Sequence, residues 1–257
     1  MNSRLIVALD VDTEKKALGI VRELKSAVKL FKVGSELFTS CGPGIIDKIH
    51  RLAAGVFLDL KFHDIPNTVR KSALAAIRPG VFMFNVHASG GYDMMKKAAM
   101  AVKEGSKARG IKAPKVIAVT VLTSMDQNTL NKVGVSDNIK IQVLRLANLA
   151  KTAGLDGVVA SPQEVRLIRK STGKNFLIVT PGVRPSWAAM GGPSAGSGSS
   201  RAKPSSTAAS RDDQKRVAAP SEAIKDGADF IVVGRPIIEA PSPLKAARDV
   251  LKEMNSK

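Results

Sequence analysis

Cysteine is nearly absent from this chain: Cys41 stands alone, so neither an intramolecular disulfide nor a cysteine-rich metal site can form. Its setting, "SCGPG", reads as an inert thiol at the start of a loop. Aromatic residues make up only 4%, which leaves the core to Ile, Leu, Val and Ala. No apolar run reaches the roughly 18 residues of a membrane-spanning helix. The opening "MNSRLIVALDVD" carries an apolar stretch too short for a secretion signal and meets Asp10 at once, so a cytoplasmic location is expected. Acidic residues are in deficit: 22 Asp and Glu against 40 Lys and Arg give a net charge of +18. Such a balance favours anionic metabolites or polyanions. The basic residues are dispersed, however, over stretches such as "KSALAAIR" and "RLIRKSTGK". The charge therefore reads as solubility and steering, and nucleic-acid binding is not expected.

Short runs rich in β-branched residues recur along the 257 residues, with helical patterns between them. The runs predict strands at 4–9, 29–34, 56–61, 81–87, 115–121, 155–160, 176–181 and 229–234. Near-continuous apolarity marks strands buried on both faces, as in a parallel sheet. After Asp12, read as an N-cap, Ala17, Ile20, Val21 and Leu24 form one helical stripe. Residues 138–153 place Ile141, Leu144, Leu146 and Leu149 in the same way, and further helices are expected at 93–105, 162–170 and 243–253. Eight strands alternating with helices at this length predict an α/β fold, a (β/α)8 barrel forming a single domain over 1–257. A doubly wound open sheet is the alternative, but no G-x-G-x-x-G turn follows the first strand. Residues 190–211, almost wholly Gly, Ser, Ala, Pro and Thr, cannot bury enough surface to offset their ordering entropy. They read as a flexible loop inserted between the last two strands.

In a barrel the C-terminal ends of the strands face the reaction. Those ends carry Asp10, Lys32, Asp59, Lys61, His87, Thr120, Thr123, Ser124, Arg184 and Arg235. Asp59 and Lys61 are two apart, so strand alternation puts both on the face that lines the mouth. A single charge there is as readily half of a structural ion pair, but Lys32, Asp59, Lys61 and Asp64 together form an alternating set of cations and anions expected to converge. A lysine flanked by carboxylates is suited to donate a proton rather than to attack as a neutral amine. Gly234 and Arg235 in "IVVGRPI", with Arg184 in "TPGVRP" and Gln214 in "DDQKR", supply an expected phosphate site after the last two strands.

The stretches "LIVALDVD", "FKVGSELF", "LDLKFHDIPNT", "NVHASGG", "TVLTS", "TPGVRP", "DQKRV" and "IVVGRPI" together resemble the orotidine 5′-phosphate decarboxylase family, in order along nearly the whole chain except about 188–211. The D-x-K-x-x-D element alone is shared with sugar-phosphate decarboxylases of the same superfamily; "HDIPNT" and the "TPGxR…DQ.R" pair narrow the match. The resemblance implies decarboxylation of orotidine 5′-monophosphate to UMP and CO2 with no metal or organic cofactor. It implies that Lys61 protonates C6 of the pyrimidine, that Asp59 lies beside the substrate carboxylate, and that Lys32 holds Asp59 and a ribose hydroxyl. Asp10 matches a ribose-binding residue, Thr123 or Ser124 the hydroxyl on the pyrimidine, and Arg184, Gln214, Gly234 and Arg235 the phosphate clamp. Asp64 and Thr68 match residues that reach into a neighbouring subunit, so a homodimer with shared sites is implied. His63 is expected to point away from the mouth, toward helix packing or an interface, and His50 and His87 are read as structural. The enlarged loop at 190–211 is expected to weaken substrate affinity while sparing the chemistry. The competing readings are another sugar-phosphate enzyme on the same fold and, from a different class, a nucleic-acid-binding protein.

Overall fold

A computed structural model of the chain describes residues 4–189 and 216–256. The inserted segment at 190–211 and Gln214 therefore lie outside the described residues. Eight parallel strands run β1 (Leu5–Ala8), β2 (Leu30–Gly34), β3 (Gly55–Phe62), β4 (Val81–His87), β5 (Lys115–Val119), β6 (Gly157–Val159), β7 (Leu177–Thr180) and β8 (Phe230–Val233). They pair in chain order and close into a barrel through β8 and β1. Each strand boundary falls within two residues of the one predicted from apolar runs. The chain on either side of 190–215 belongs to one barrel, because β7 and β8 pair directly.

Alternation along the strands sorts side chains into two apolar layers. Leu5, Val7, Phe31, Val33, Phe84 and Val86 face outward and pack under the helices. Ile6, Ala8, Leu30, Phe57, Met83, Ile117, Val179 and Val232 face inward and fill the barrel. Burying one of the large members contributes roughly 1.5–3 kcal/mol. The inner layer stops short of the C-terminal mouth. The next inward positions after Leu30, Phe57 and Met83 are Lys32, Asp59 and Asn85, so the filling changes from apolar to polar within one residue pair of each strand. At β6 the strands crowd together: a Cβ on Gly157 would lie 2.3 Å from the carbonyl oxygen of Leu177. Glycine is obligatory there for close approach of the β6 and β7 backbones.

Three helical readings need correction. The first helix (Glu14–Leu24) is capped by Thr13, whose side chain accepts from the Lys16 N–H, while Asp12 instead pairs with Lys16 Nζ at 2.8 Å. Its buried stripe is Ala17, Leu18, Val21 and Leu24, with Ile20 half-buried at the edge. The helix Ile139–Thr152 buries Val143, Leu146, Ala147 and Ala150, and leaves Ile141 54% exposed. Small alanines let that helix sit close to its neighbours, so they, not the larger Ile141, mark its inner face. Among the described residues no helix is long and apolar enough to cross a membrane.

Candidate active site

A cleft of about 520 Å³ opens at the C-terminal ends of the strands. Its floor is the top of the inner apolar layer, Ala8, Phe57 and Val232. Asp10, Lys32, Asp59 and Lys61 line one side. Thr123, Ser124, Arg184, Gly234 and Arg235 also line the cleft, among other residues of the loops after β5, β7 and β8. All nine were singled out from sequence.

The charged side is tied together from strand to strand. Lys32 Nζ lies 2.8 Å from Asp10 Oδ1 and 3.4 Å from Asp59 Oδ2. Lys61 Nζ lies 2.8 Å from the other oxygen, Asp59 Oδ1. Burial works against the Lys32 ammonium, but the charges of Asp59 and Asp10 outweigh it and hold its pKa above the ordinary lysine value. Asp59 is only 8% exposed, and such a carboxylate costs several kcal/mol to desolvate unless its oxygens find donors. Here each oxygen meets a lysine. Gly34 leaves room for the arrangement: a Cβ at that position would stand 3.1 Å from Lys32 Nζ.

Asn85, absent from the predicted site, completes it. It is 1% exposed, its Nδ2 donates to Asp59 Oδ1 at 2.6 Å, and its Oδ1 accepts from the Lys61 backbone N–H at 2.8 Å. The signal was available: Asn85 follows inward-facing Met83 by two positions on β4. Lys61 also reaches Asp59 by a route that simple alternation does not give. Its φ is +51°, a left-handed conformation, and the β3–β4 register is broken between Leu58 and Phe62. The strand stops alternating at the residue whose direction alternation was asked to predict.

The same break explains His63. A straight strand would turn it into the helix layer, but it is exposed, and its ring lies 5.4 Å from that of His87. Burial lowers the His87 pKa, as do the nearby His63 and Lys61, against an opposing pull from Asp59. Asp64 does not join the cluster of its own chain. It is exposed, its Oδ1 accepts from the Ile65 N–H at 2.6 Å, and it forms no ion pair with Lys32 or Lys61. Thr68 is exposed on the helix Pro66–Ala76 that follows. The expected four-residue convergence is thus three residues plus Asn85 within one chain, because the chain turns away from the mouth after Lys61.

Arg184 follows β7, and its backbone N–H donates to the Ala218 carbonyl at 3.0 Å beside a bridge between Val183 and Ala218. Arg216, two residues before that bridge, is a second residue not singled out from sequence. Its guanidinium pairs with the buried Glu164 and donates to the Leu122 carbonyl at 3.1 Å, next to Thr123. The Ser161 hydroxyl in turn donates to the Arg216 carbonyl at 3.4 Å. One buried ion pair therefore ties the loops after β5, β6 and β7 to one another. Thr120 uses its hydroxyl on the Val159 carbonyl at 3.0 Å, which fixes the end of β5 rather than presenting it to the cleft. Among the described residues no group of three or more His, Cys, Asp or Glu is arranged to hold a metal ion.

Comparison with known proteins accords with this geometry. A protein named orotidine 5′-phosphate decarboxylase from Geotalea daltonii is 46% identical over 252 residues, covering 98% of this chain and 96% of that protein. One of the same name from Syntrophotalea carbinolica is 49% identical over 251 residues, covering 98% and 94%. Among solved structures, orotidine 5′-phosphate decarboxylase from Lactobacillus acidophilus superposes with a TM-score of 0.80 at 37% identity, over 98% of this chain and 99% of that one. Residues 3–250 match the family described as orotidine 5′-phosphate decarboxylase / HUMPS. A match that takes in every strand of the barrel, and both sides of its cleft, establishes descent as well as fold: the chain belongs to the orotidine 5′-phosphate decarboxylase / HUMPS family.

Proposed function

We propose that this chain decarboxylates orotidine 5′-monophosphate to UMP and CO2 in pyrimidine nucleotide synthesis. The observation that carries the reading is Lys61 Nζ set 2.8 Å from Asp59 in the same cleft as Arg184 and Arg235. A nucleotide laid across that cleft turns its phosphate to the two arginines and Gly234. Its ribose then faces Asp10 and Lys32, its pyrimidine edge meets Thr123 or Ser124, and its carboxylate comes up against Asp59.

The chemistry follows from charge. The bond from C6 to the carboxylate breaks, CO2 leaves as a neutral molecule, and the electron pair stays on C6. The Lys61 ammonium stabilises that pair and then gives C6 its proton; the neutral amine recovers a proton from solvent. A fixed cation aimed at developing negative charge is worth most where water is excluded. Asp59 opposes the substrate carboxylate, a repulsion that ends when CO2 departs. Binding energy from the distant phosphate offsets that repulsion. The assay is the change in orotidylate absorbance with purified wild-type protein; no turnover overturns the reading.

Asp64 and Thr68 we assign to the site of a second subunit in a homodimer. Both are exposed, and Ile65 between them is 68% exposed, an apolar side chain suited to cover by a partner. Mixing two inactive variants tests the assignment. Lys61→Ala and Asp64→Ala, unfolded and refolded together, should recover up to about a quarter of wild-type activity, because random pairing leaves one intact site in half of the dimers. Recovery that never exceeds the sum of the separate variants would remove Asp64 from a shared site.

A further inference from the structure

We propose that Asn85 is a positioning residue for this reaction: its single amide sets both the backbone of Lys61 and the acceptor face of Asp59. The inference rests on the decarboxylase reading for what it does to rate, but its geometry stands apart from that reading.

Beyond an earlier register shift between Val56 and Phe57, β3 and β4 pair at Phe57 with Met83 and at Leu58 with Phe84, and pair again at Phe62 and Val86. Four steps along β3 thus correspond to two along β4, and the intervening residues leave the ladder. Lys61 lies in this stretch, with φ at +51°. A non-glycine residue there costs roughly 1–2 kcal/mol and persists only where its surroundings hold it. What holds it is a side chain in place of a ladder carbonyl. Asn85 Oδ1 takes the Lys61 N–H at 2.8 Å, in a position too buried for water to substitute.

The two ends of the amide are not interchangeable. A backbone N–H can only donate, so the oxygen must face Lys61 and the nitrogen must face Asp59. Nδ2 then donates to Asp59 Oδ1 at 2.6 Å, the same oxygen that receives Lys61 Nζ. A proton on that oxygen would set donor against donor. Asn85 therefore favours Asp59 as an acceptor and fixes the direction in which Lys61 leaves the strand. A displacement of about 1 Å at a proton donor can cost roughly 100-fold in rate. The phosphate contacts lie across the barrel and do not depend on this amide.

Two variants separate positioning from bulk stability. Asn85→Ala, assayed where circular dichroism shows it folded, is expected to lower kcat by about 10–100-fold with KM within about threefold. Asn85→Asp keeps the oxygen that accepts from Lys61. Its introduced carboxyl can replace the lost donor only while protonated. The charged and titratable groups facing it are Asp59 and Lys61 from β3, Lys32 reaching Asp59 from β2, and His87 on its own strand; the β5 neighbour is Ile117. Two carboxyls in contact share a proton, so the ratio of Asn85→Asp to wild-type kcat should be highest at low pH and fall as pH rises. A flat ratio, or an Asn85→Ala variant with kcat within twofold of wild type, overturns the role. A crystal structure of Asn85→Ala decides the placement without any assay: Lys61 should leave the left-handed region or move its Nζ by about 1 Å or more. An unmoved Lys61 overturns the inference even in an active enzyme. If wild type fails to turn over orotidylate, the functional reading falls while the position of Lys61 in that crystal still decides what Asn85 holds.

Discussion

Lys61 and Arg184 line the same cleft but are mounted in opposite ways. Lys61 comes from β3, with its ammonium on Asp59 and its backbone N–H on Asn85, both partners lying in strands of the barrel. Arg184 comes from a loop after β7, four strands round the ring, where a carbonyl of Ala218 holds its backbone; Arg235 follows β8 and is exposed. The difference matches what the proposed reaction asks of each side. Charge that develops only during bond cleavage must meet groups already oriented and shielded, because reorganising them would add to the barrier. A phosphate arrives with its charge in full and can be captured from solvent by groups on loops, which then exclude water as they settle. Under the proposed reaction, strand mounting serves the rate and loop mounting the binding.

That division can be broken most directly at Lys61. Lys61→Met keeps the length and apolar stem of the side chain and removes the charge and the proton. It should reduce kcat by at least about 10³-fold and leave KM within an order of magnitude, since acid catalysis and electrostatic stabilisation are lost together. A variant that keeps a tenth of the wild-type kcat would show that the strand side is not where the chemistry occurs. The opposite pattern is expected at Arg235. Arg235→Ala removes a charge-assisted contact worth roughly 1.5–3 kcal/mol, so KM should rise about 10–100-fold while kcat at saturation changes only a few-fold. Equal losses in kcat at both positions would erase the distinction, and steady-state kinetics of the two variants measure it directly.

How far the sequence discloses this design depends on what carries each part. The barrel is legible because its strands are apolar on both faces, a pattern that surface helices cannot show. Lys32, Asp59 and Lys61 are legible because charge inside such a strand demands a partner or a task. Asn85 carries no charge and disappears among apolar neighbours, although its offset from Met83 places it in the same layer. The break at Lys61 was hidden for a different reason. No glycine or asparagine marks the left-handed residue, and the group that stabilises it comes from β4, more than twenty positions further along. The exposure of His63 was lost with it. Arg216 sits in a motif that did point to the site, but its buried partner Glu164 lies far off in sequence, so only packing reveals that it joins three loops. The buried face of the helix Ile139–Thr152 was found at Leu146 but not at Val143, Ala147 and Ala150, because small alanines carry little hydrophobic signal although they let the helix pack closely.

The smallest expected effect tests how little extra positive charge the strand side tolerates. His87 is on β4 near Lys61, and its pKa is lowered chiefly by burial, then by the charges of His63 and Lys61, with Asp59 opposing. A basic group with a lowered pKa binds fewer protons in the folded chain than in the unfolded one. Stability then rises with pH through the window just below the ordinary histidine value, and is lost as pH falls from about 6.5 toward the folded pKa. Above that window both states are neutral at His87 and its contribution is flat. His87→Asn removes the titration while keeping a polar side chain of similar reach. Thermal midpoints measured at steps from pH 7.5 to 5 should therefore fall more for wild type than for His87→Asn, by at most about 2–4 °C at the acid end. Curves that stay parallel would mean that His87 senses neither its burial nor Lys61. Arg235→Ala, whose arginine is exposed and away from β4, should show the same acid-side loss as wild type, which would place the sensitivity on the strand side of the cleft and not in the protein's overall charge.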